Sequence, residues 1–248
     1  MAHQLASPNT VFFDLDETLI ENRRAVPDLF KEVYAHFNHL LGHHNEADYF
    51  AALRHHAGGL WESMFLHNDP PETLFARCFG QAARDINALG ASQADALGQK
   101  MLHKYVELSS ANVVFHHDAL STLQQLRDQG FKVGIITNGI ELVQQSKIDA
   151  LGLNDKVDCI TISAQARAHK PYAQVFNLAL ERAETTAEQA WQVGDHATND
   201  VAGAIRAGMS GVFYDPSGSR RATAFNELNE NPTHVVSSLT EVLNLVTR

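Results

Sequence analysis

The run Thr10-Val11-Phe12-Phe13-Asp14-Leu15-Asp16-Glu17-Thr18-Leu19 restricts this chain more than any other stretch. Three consecutive large apolar residues show no alternation, so the segment is expected to be a strand covered on both faces, as in a parallel sheet. The apolar run stops at Asp14, and Asp16 follows two residues later. Both carboxylates would then lie just past a strand's carboxyl end, the edge where open α/β sheets bind ligands. Taken alone, Asp-x-Asp-x-Thr reads equally as an Asx-turn or a helix cap.

After Leu19 the period changes to that of helices. Val26, Leu29, Phe30, Val33, Phe37, Leu40 and Leu41 share one helix face, with Pro27 in the first turn and Gly42 as the stop. Further helices are expected over 49–65, 72–89 and 94–108, separated by Gly58-Gly59, Asp69-Pro70-Pro71 and Gly90, with no strand between them. From Asn112 the texture alternates. Helices are expected at 118–128, 141–151, 172–183 and 199–207, and strands at 132–137, 157–163, 190–194 and 211–214. A last strand, 234–236, precedes a helix whose start is read as a capping box of Ser238 and Glu241. The segment 215–230, with Gly218, Ser219, Arg220 and Arg221, is expected as an exposed loop. This pattern is α/β: a Rossmann-like parallel sheet core, 1–21 and 111–248, interrupted by an inserted all-helical cap, 22–110.

Three further strand ends carry polar groups. The strand ending at Ile136 runs into Thr137-Asn138-Gly139 and a helix start, which offers a hydroxyl, an amide and backbone N–H groups suited to a phosphate. Lys170-Pro171 stands ahead of another helix, with the proline compatible with its first turn. The strand Trp191-Gln192-Val193 ends in Gly194-Asp195, with Asp200 five residues on. Each of these also has a structural reading as a cap or a solvated charge.

A formal net charge of −10 and the lack of a basic stripe argue against a nucleic-acid polymer as partner. An acidic protein that handles an anion needs local positive charge, which a metal ion and one lysine would supply. No run approaches the ~20 apolar residues of a membrane span, and 1–8 lacks the pattern of a signal peptide, so no membrane association and a cytoplasmic location are expected. Cys78 and Cys159 have neither metal nor redox spacing and are expected to be small buried residues.

In order, Asp14-Leu15-Asp16-Glu17-Thr18, Thr137-Asn138-Gly139, Lys170-Pro171 and Gly194-Asp195 with Asp200 resemble the four motifs of the haloacid dehalogenase-like hydrolase superfamily, over essentially the whole chain. The resemblance implies that Asp14 attacks phosphorus to form an aspartyl-phosphate, and that Asp16 protonates the leaving alkoxide and then deprotonates water. It implies Mg²⁺ held by Asp14, the carbonyl of Asp16 and Asp195, with Asp200 in support. Lys170 would pair with Asp14 and a phosphate oxygen, while Thr137 and Asn138 bind the remaining oxygens. The charge argument agrees: near 3 Å, at an effective dielectric of about 20, each like-charge pair costs on the order of 5 kcal/mol.

Dehalogenases of this superfamily lack an acid at the place of Asp16, because halide leaves unprotonated. Its presence implies an alcohol leaving group, hence hydrolysis of a small phosphomonoester under a closing cap. The segment 170–180 with Ile136-Thr137-Asn138-Gly139 resembles the pyrimidine 5′-nucleotidase, flavin mononucleotide (FMN) phosphatase and acylneuraminate phosphatase group, which puts a nucleoside monophosphate or FMN first. A phosphomutase and a non-catalytic binding protein are the alternatives. The sequence is silent on oligomeric state and on any role of His196. Among 14 histidines, His36, His39 and His43 share a helix face, and 43–44, 55–56 and 116–117 are adjacent pairs. None completes a zinc pattern, and solvated faces are expected. Trp61, Phe65 and Phe75 could stack on a flat ligand but are expected mainly as packing residues. Arg23 and Arg24 are expected at the surface.

Overall fold

A computed structural model describes residues 8–42, 45–66, 69–87, 89–219, 225 and 230–247, without the side chains of Trp61 and Glu62. Residues His43, His44, Arg220 and Arg221, on which expectations were placed, lie outside the described residues.

The strand β1 (Thr10–Phe13) is wholly buried and pairs in parallel on both sides. Its neighbours are β4 (Lys132–Thr137) and β6 (Ala190–Gly194). With β5 (Cys159–Ile162), β7 (Ser210–Tyr214) and β8 (His234–Val236) they form a six-stranded parallel sheet in the order β5-β4-β1-β6-β7-β8. The pleat divides β1 between two cores. Val11 and Phe13 join one that includes Leu123 and Leu126 of α6 (Ala119–Asp128) and Val242 and Leu243 of the C-terminal helix Thr240–Val246. Phe12 enters the other, with Val175 and Phe176 of α9 (Ala173–Arg182) and Ala204 of α10 (Gly203–Arg206). Two-sided burial is therefore why this strand reads as an unbroken apolar run.

The chain divides into two compact units: the described residues of Met1–Asn22, Val113–Gly139 and Ile148–Arg248, and those of Arg23–Asn112 and Ile140–Lys147. The second unit contains α1 (Val26–Phe37), α2 (Glu46–Ala57), α3 (Leu60–Ser63), α4 (Pro71–Ile86) and α5 (Ala91–Ala111). Its core includes Leu29, Val33, Phe79, Met101 and Tyr105. Two glycines allow α4 and α5 to lie backbone against backbone: a Cβ on Gly80 would strike the carbonyl of Ala94, and one on Gly98 the carbonyl of Ala76. The helix α7 (Glu141–Ala150) falls partly in each unit, and the remaining short helix, α8 (Ser163–Ala166), follows β5.

Several local expectations differ from the structure. Ile20–Asn22 is not the start of the helical region but a strand, β2, paired antiparallel with β3 (Val113–Phe115). Three residues are too few to carry a readable alternation. The first cap helix ends at Phe37 in a single 3₁₀ turn, and Gly42 follows beyond it at φ 69°. At the C-terminal helix it is Ser237, not Ser238, whose backbone N–H and hydroxyl both donate to the Glu241 carboxylate, at 3.2 and 2.6 Å. Pro171 precedes α9 rather than entering it, and the Lys170-Pro171 peptide is cis. Cys78 is buried as expected, whereas Cys159 is half-buried. Among the described residues no helix is long and apolar enough to cross a membrane.

Candidate active site

The sheet's register brings the polar strand ends together. Phe13 lies level with Ile135 of β4 and Val193 of β6, and the backbone N–H of Asp14 continues the ladder to the carbonyl of Val193 at 2.9 Å. Asp14, Thr137 and Gly194-Asp195 thus share one carboxyl edge. Past Asp14 the chain makes a tight turn, with the N–H groups of Leu19 and Ile20 both donating to the carbonyl of Leu15. Asp16 sits half-buried in this turn beside Glu17, which holds a left-handed φ of 60° that few non-glycine residues adopt.

Lys170 ties the edge together. Its side chain is 2% exposed, and its ammonium donates to Asp14 Oδ1 at 2.7 Å, Asp200 Oδ1 at 2.6 Å and the carbonyl of Ile136 at 2.8 Å. An ammonium has three hydrogens, so the protein occupies all of them. Burial alone would discharge the lysine, but the carboxylates of Asp14 and Asp200 outweigh it and raise its pKa. Burial also pushes the carboxyl of Asp14 up to about 8, helped by the negative charges of Asp200 and Asp16 and opposed by Lys170.

Two residues hold this arrangement in ways the sequence did not reveal. The Asn138 side chain clamps the main chain of Lys170, accepting from its N–H at 2.7 Å and donating to its carbonyl at 3.1 Å. The side-chain oxygen and one of its two N–H groups are therefore given to the lysine. Gln192, wholly buried in the middle of β6, donates to Asp200 Oδ1 at 3.3 Å. One signal was available: a polar residue breaks an otherwise apolar strand just ahead of Gly194-Asp195. The helix start after Thr137 also differs from expectation. The Gly139 N–H is taken by Ser163 Oγ at 3.0 Å and that of Glu141 by Glu72 Oε1 at 3.1 Å, so neither is free for an anion. Thr137 is 1% exposed at the end of β4.

Asp200 lies on a π-helical turn, Ala197–Ala202, a distortion frequent at functional sites. Its Oδ2 accepts from the His196 N–H at 3.1 Å, and the His196 ring accepts from the Asn199 N–H at 3.2 Å, capping the same turn. The carboxylate lies so close to β6 that a Cβ on Gly194 would overlap it. That is the physical reason for glycine at the strand's last residue.

Oxygens of Asp14, Asp195 and Asp200 lie within 4.8 Å of one another. Asp14 and Asp200 share one ammonium and Asp195 lies beside them, which leaves surplus negative charge; burial is the main cause of the raised pKa of Asp14, and the charges of Asp200 and Asp16 add to it. This donor set, all hard oxygen, fits Mg²⁺. Both oxygens of Asp200 also accept hydrogen bonds from the protein. Asp16 is outside the trio of clustered carboxylates.

The other singled-out residues behave as parts of the fold. Phe75 packs on Phe79 and Tyr105 with ring centres 5.5 and 5.8 Å apart, and Phe65 is half-buried against the same core. The side chain of Trp61 is outside the described atoms. Arg24 pairs with Glu32 at 2.7 Å on the surface, and His56 with Asp85 at 2.8 Å.

Comparison with known proteins adds the following. The family model for haloacid dehalogenase-like hydrolases matches residues 8–208. The chain is 34% identical over 154 residues to a ribulose-1,5-bisphosphate 5-phosphatase of Halopiger xanaduensis, covering 61% of this chain and 63% of that protein. It is 33% identical over 129 residues to the pyrimidine 5′-nucleotidase YjjG of Escherichia coli, covering 52% and 55%. The chain thus spans less than two thirds of these relatives' lengths. Among solved structures, a 2-haloacid dehalogenase from Pseudomonas syringae pv. Tomato superposes with a TM-score of 0.79 at 23% identity, over 97% of this chain and 99% of that one.

Proposed function

This chain belongs to the haloacid dehalogenase-like hydrolase family, and on that premise we propose that it hydrolyses small phosphomonoesters, with nucleoside monophosphates and FMN as the first substrates to try. The observation that carries the reading is the buried Asp14–Lys170–Asp200 array beside Asp195, with Asp16 two residues from Asp14. Asp14 would attack phosphorus, forming an acyl-phosphate bond as the bond to the leaving oxygen breaks, and Asp16 would give that oxygen its proton. Asp16 would then take a proton from water as the water attacks the phosphoryl group, which returns Asp14 as a free carboxylate. Lys170 would hold Asp14 in its attacking orientation. A phosphate oxygen could reach its ammonium only by replacing one of its three present acceptors. Thr137 is the candidate hydroxyl for the phosphate.

Asp14, Asp195 and the carbonyl of Asp16 would hold Mg²⁺, supported by Asp200. When bound, the ion would supply the positive charge that favours ionised Asp14 and offsets the charge of the phosphate. The dehalogenase likeness concerns the fold, whereas an acid at position 16 favours a leaving group that must be protonated. The test is phosphate release from nucleotides, FMN and sugar phosphates, with and without Mg²⁺, beside Asp14→Asn. Metal-dependent release that the substitution abolishes supports the reading. Isomerisation of a sugar phosphate without net release would favour a mutase, and no turnover by folded protein a binding role.

A further inference from the structure

An unexplained feature of the second unit is a cavity among its helices. The helices α1 and α2 meet through Tyr34, whose ring lies 5.2 Å from Tyr49 and 5.9 Å from Phe50. Beyond that contact a cavity of about 570 Å³ separates them, with Phe75, Cys78 and Phe79 of α4 contributing to its lining. This is within the range of small-molecule sites, roughly 300–1,000 Å³. Its walls carry four phenyl rings, Phe30, Phe50, Phe75 and Phe79, which suit a flat apolar body.

The charge of the lining decides what kind of body. Lys31 and Arg54 both line the cavity and, among the described residues, no carboxylate does, in a chain whose net charge is −10. The Arg54 guanidinium has no hydrogen-bond or ion-pair partner among the described residues, and Lys31 makes only an exposed contact of 3.5 Å to Asp28. A neutral apolar ligand would leave both cations unused, and a cationic one would be repelled. We infer that this cavity is a binding site for a small aromatic acid, its ring among the phenylalanines and its carboxylate toward Lys31 and Arg54. Among the described residues the site consists of residues of α1, α2 and α4, and it does not depend on the phosphatase reading.

The experiment is calorimetric titration of the full chain with naphthoate, read as binding and not as turnover. Saturable one-to-one binding is expected. It should weaken about three- to tenfold in the double variant Lys31→Ala, Arg54→Ala, as expected for two partly screened charges, and should weaken with added salt. Naphthalenemethanol, the same ring system without charge, should bind the parent more weakly and be indifferent to the double variant. Ala47→Trp and Ala57→Trp, made separately and each verified as folded by its melting curve, should block the cavity. Absence of saturable binding would overturn the inference, as would binding that survives both tryptophans or an equal affinity for the uncharged ring. None of these outcomes bears on phosphate release.

Discussion

Among single residues, Lys170 and the carboxylates it pairs with hold the site together. Lys170→Met would leave Asp14 and Asp200 buried without their shared cation, and urea unfolding in cation-free buffer should register a loss of about 3–5 kcal/mol. The pH response follows from Asp14. Its carboxyl is raised from 3.8 to about 8, so between those values the folded protein holds a proton that the unfolded chain has released. This group's contribution to stability is therefore full below about pH 4 and is lost as pH rises through about 8, with a slope of at most ~1.4 kcal/mol per pH unit. Cation-free unfolding curves should show that decline in the parent and lose it in Asp14→Asn. Gln192 has a different signature. Its Oε1 has no hydrogen-bond partner among the described residues, so Gln192→Leu should leave stability nearly unchanged. Loss of its hydrogen bond to Asp200 should nevertheless lower kcat about tenfold with KM unchanged. These residues also mark what was legible. Asp14 and Asp195 stood out because each follows an apolar strand, and Lys170 because Lys170-Pro171 stands ahead of a helix. The clamp of Asn138 on Lys170 was not legible, because it depends on which strands become neighbours, and Gln192 showed only its polarity in an apolar strand, since its bond to Asp200 depends on the course of the turn after β6.

At the scale of elements, glycine controls two close approaches. Gly194→Ala would force the Asp200 carboxylate away from the end of β6, and displacement on that scale should reduce phosphate release about a hundredfold while circular dichroism stays unchanged. Gly98→Ala would separate α5 from α4 and cost the second unit about 1–3 kcal/mol. Hydrogen exchange should report faster exchange in α4 and α5, with β4 and β6 still protected. The sequence made the long elements plain, since β1 is apolar on both faces and α1 carries an apolar stripe at helical spacing. It concealed the β2–β3 ribbon, because three-residue strands hold too few alternations, and the π-helical turn at Ala197–Ala202, because its backbone course is fixed by the Asp200 and His196 hydrogen bonds.

For the whole molecule, one parallel sheet collects chemistry from distant parts of the chain at one edge: Lys170 is 156 residues from Asp14, yet 2.7 Å away. In the proposed reaction Asp14 is the nucleophile that takes the phosphoryl group in a covalent intermediate. This is tested most directly by rapid acid quench of enzyme turning over a nucleoside monophosphate with Mg²⁺, followed by mass analysis of the peptide that contains Asp14. One phosphoryl group is expected on Asp14, formed and lost at rates consistent with turnover and absent in Asp14→Asn. Turnover at the parent rate by Asp14→Asn, or a phosphoryl group on another residue, would contradict it.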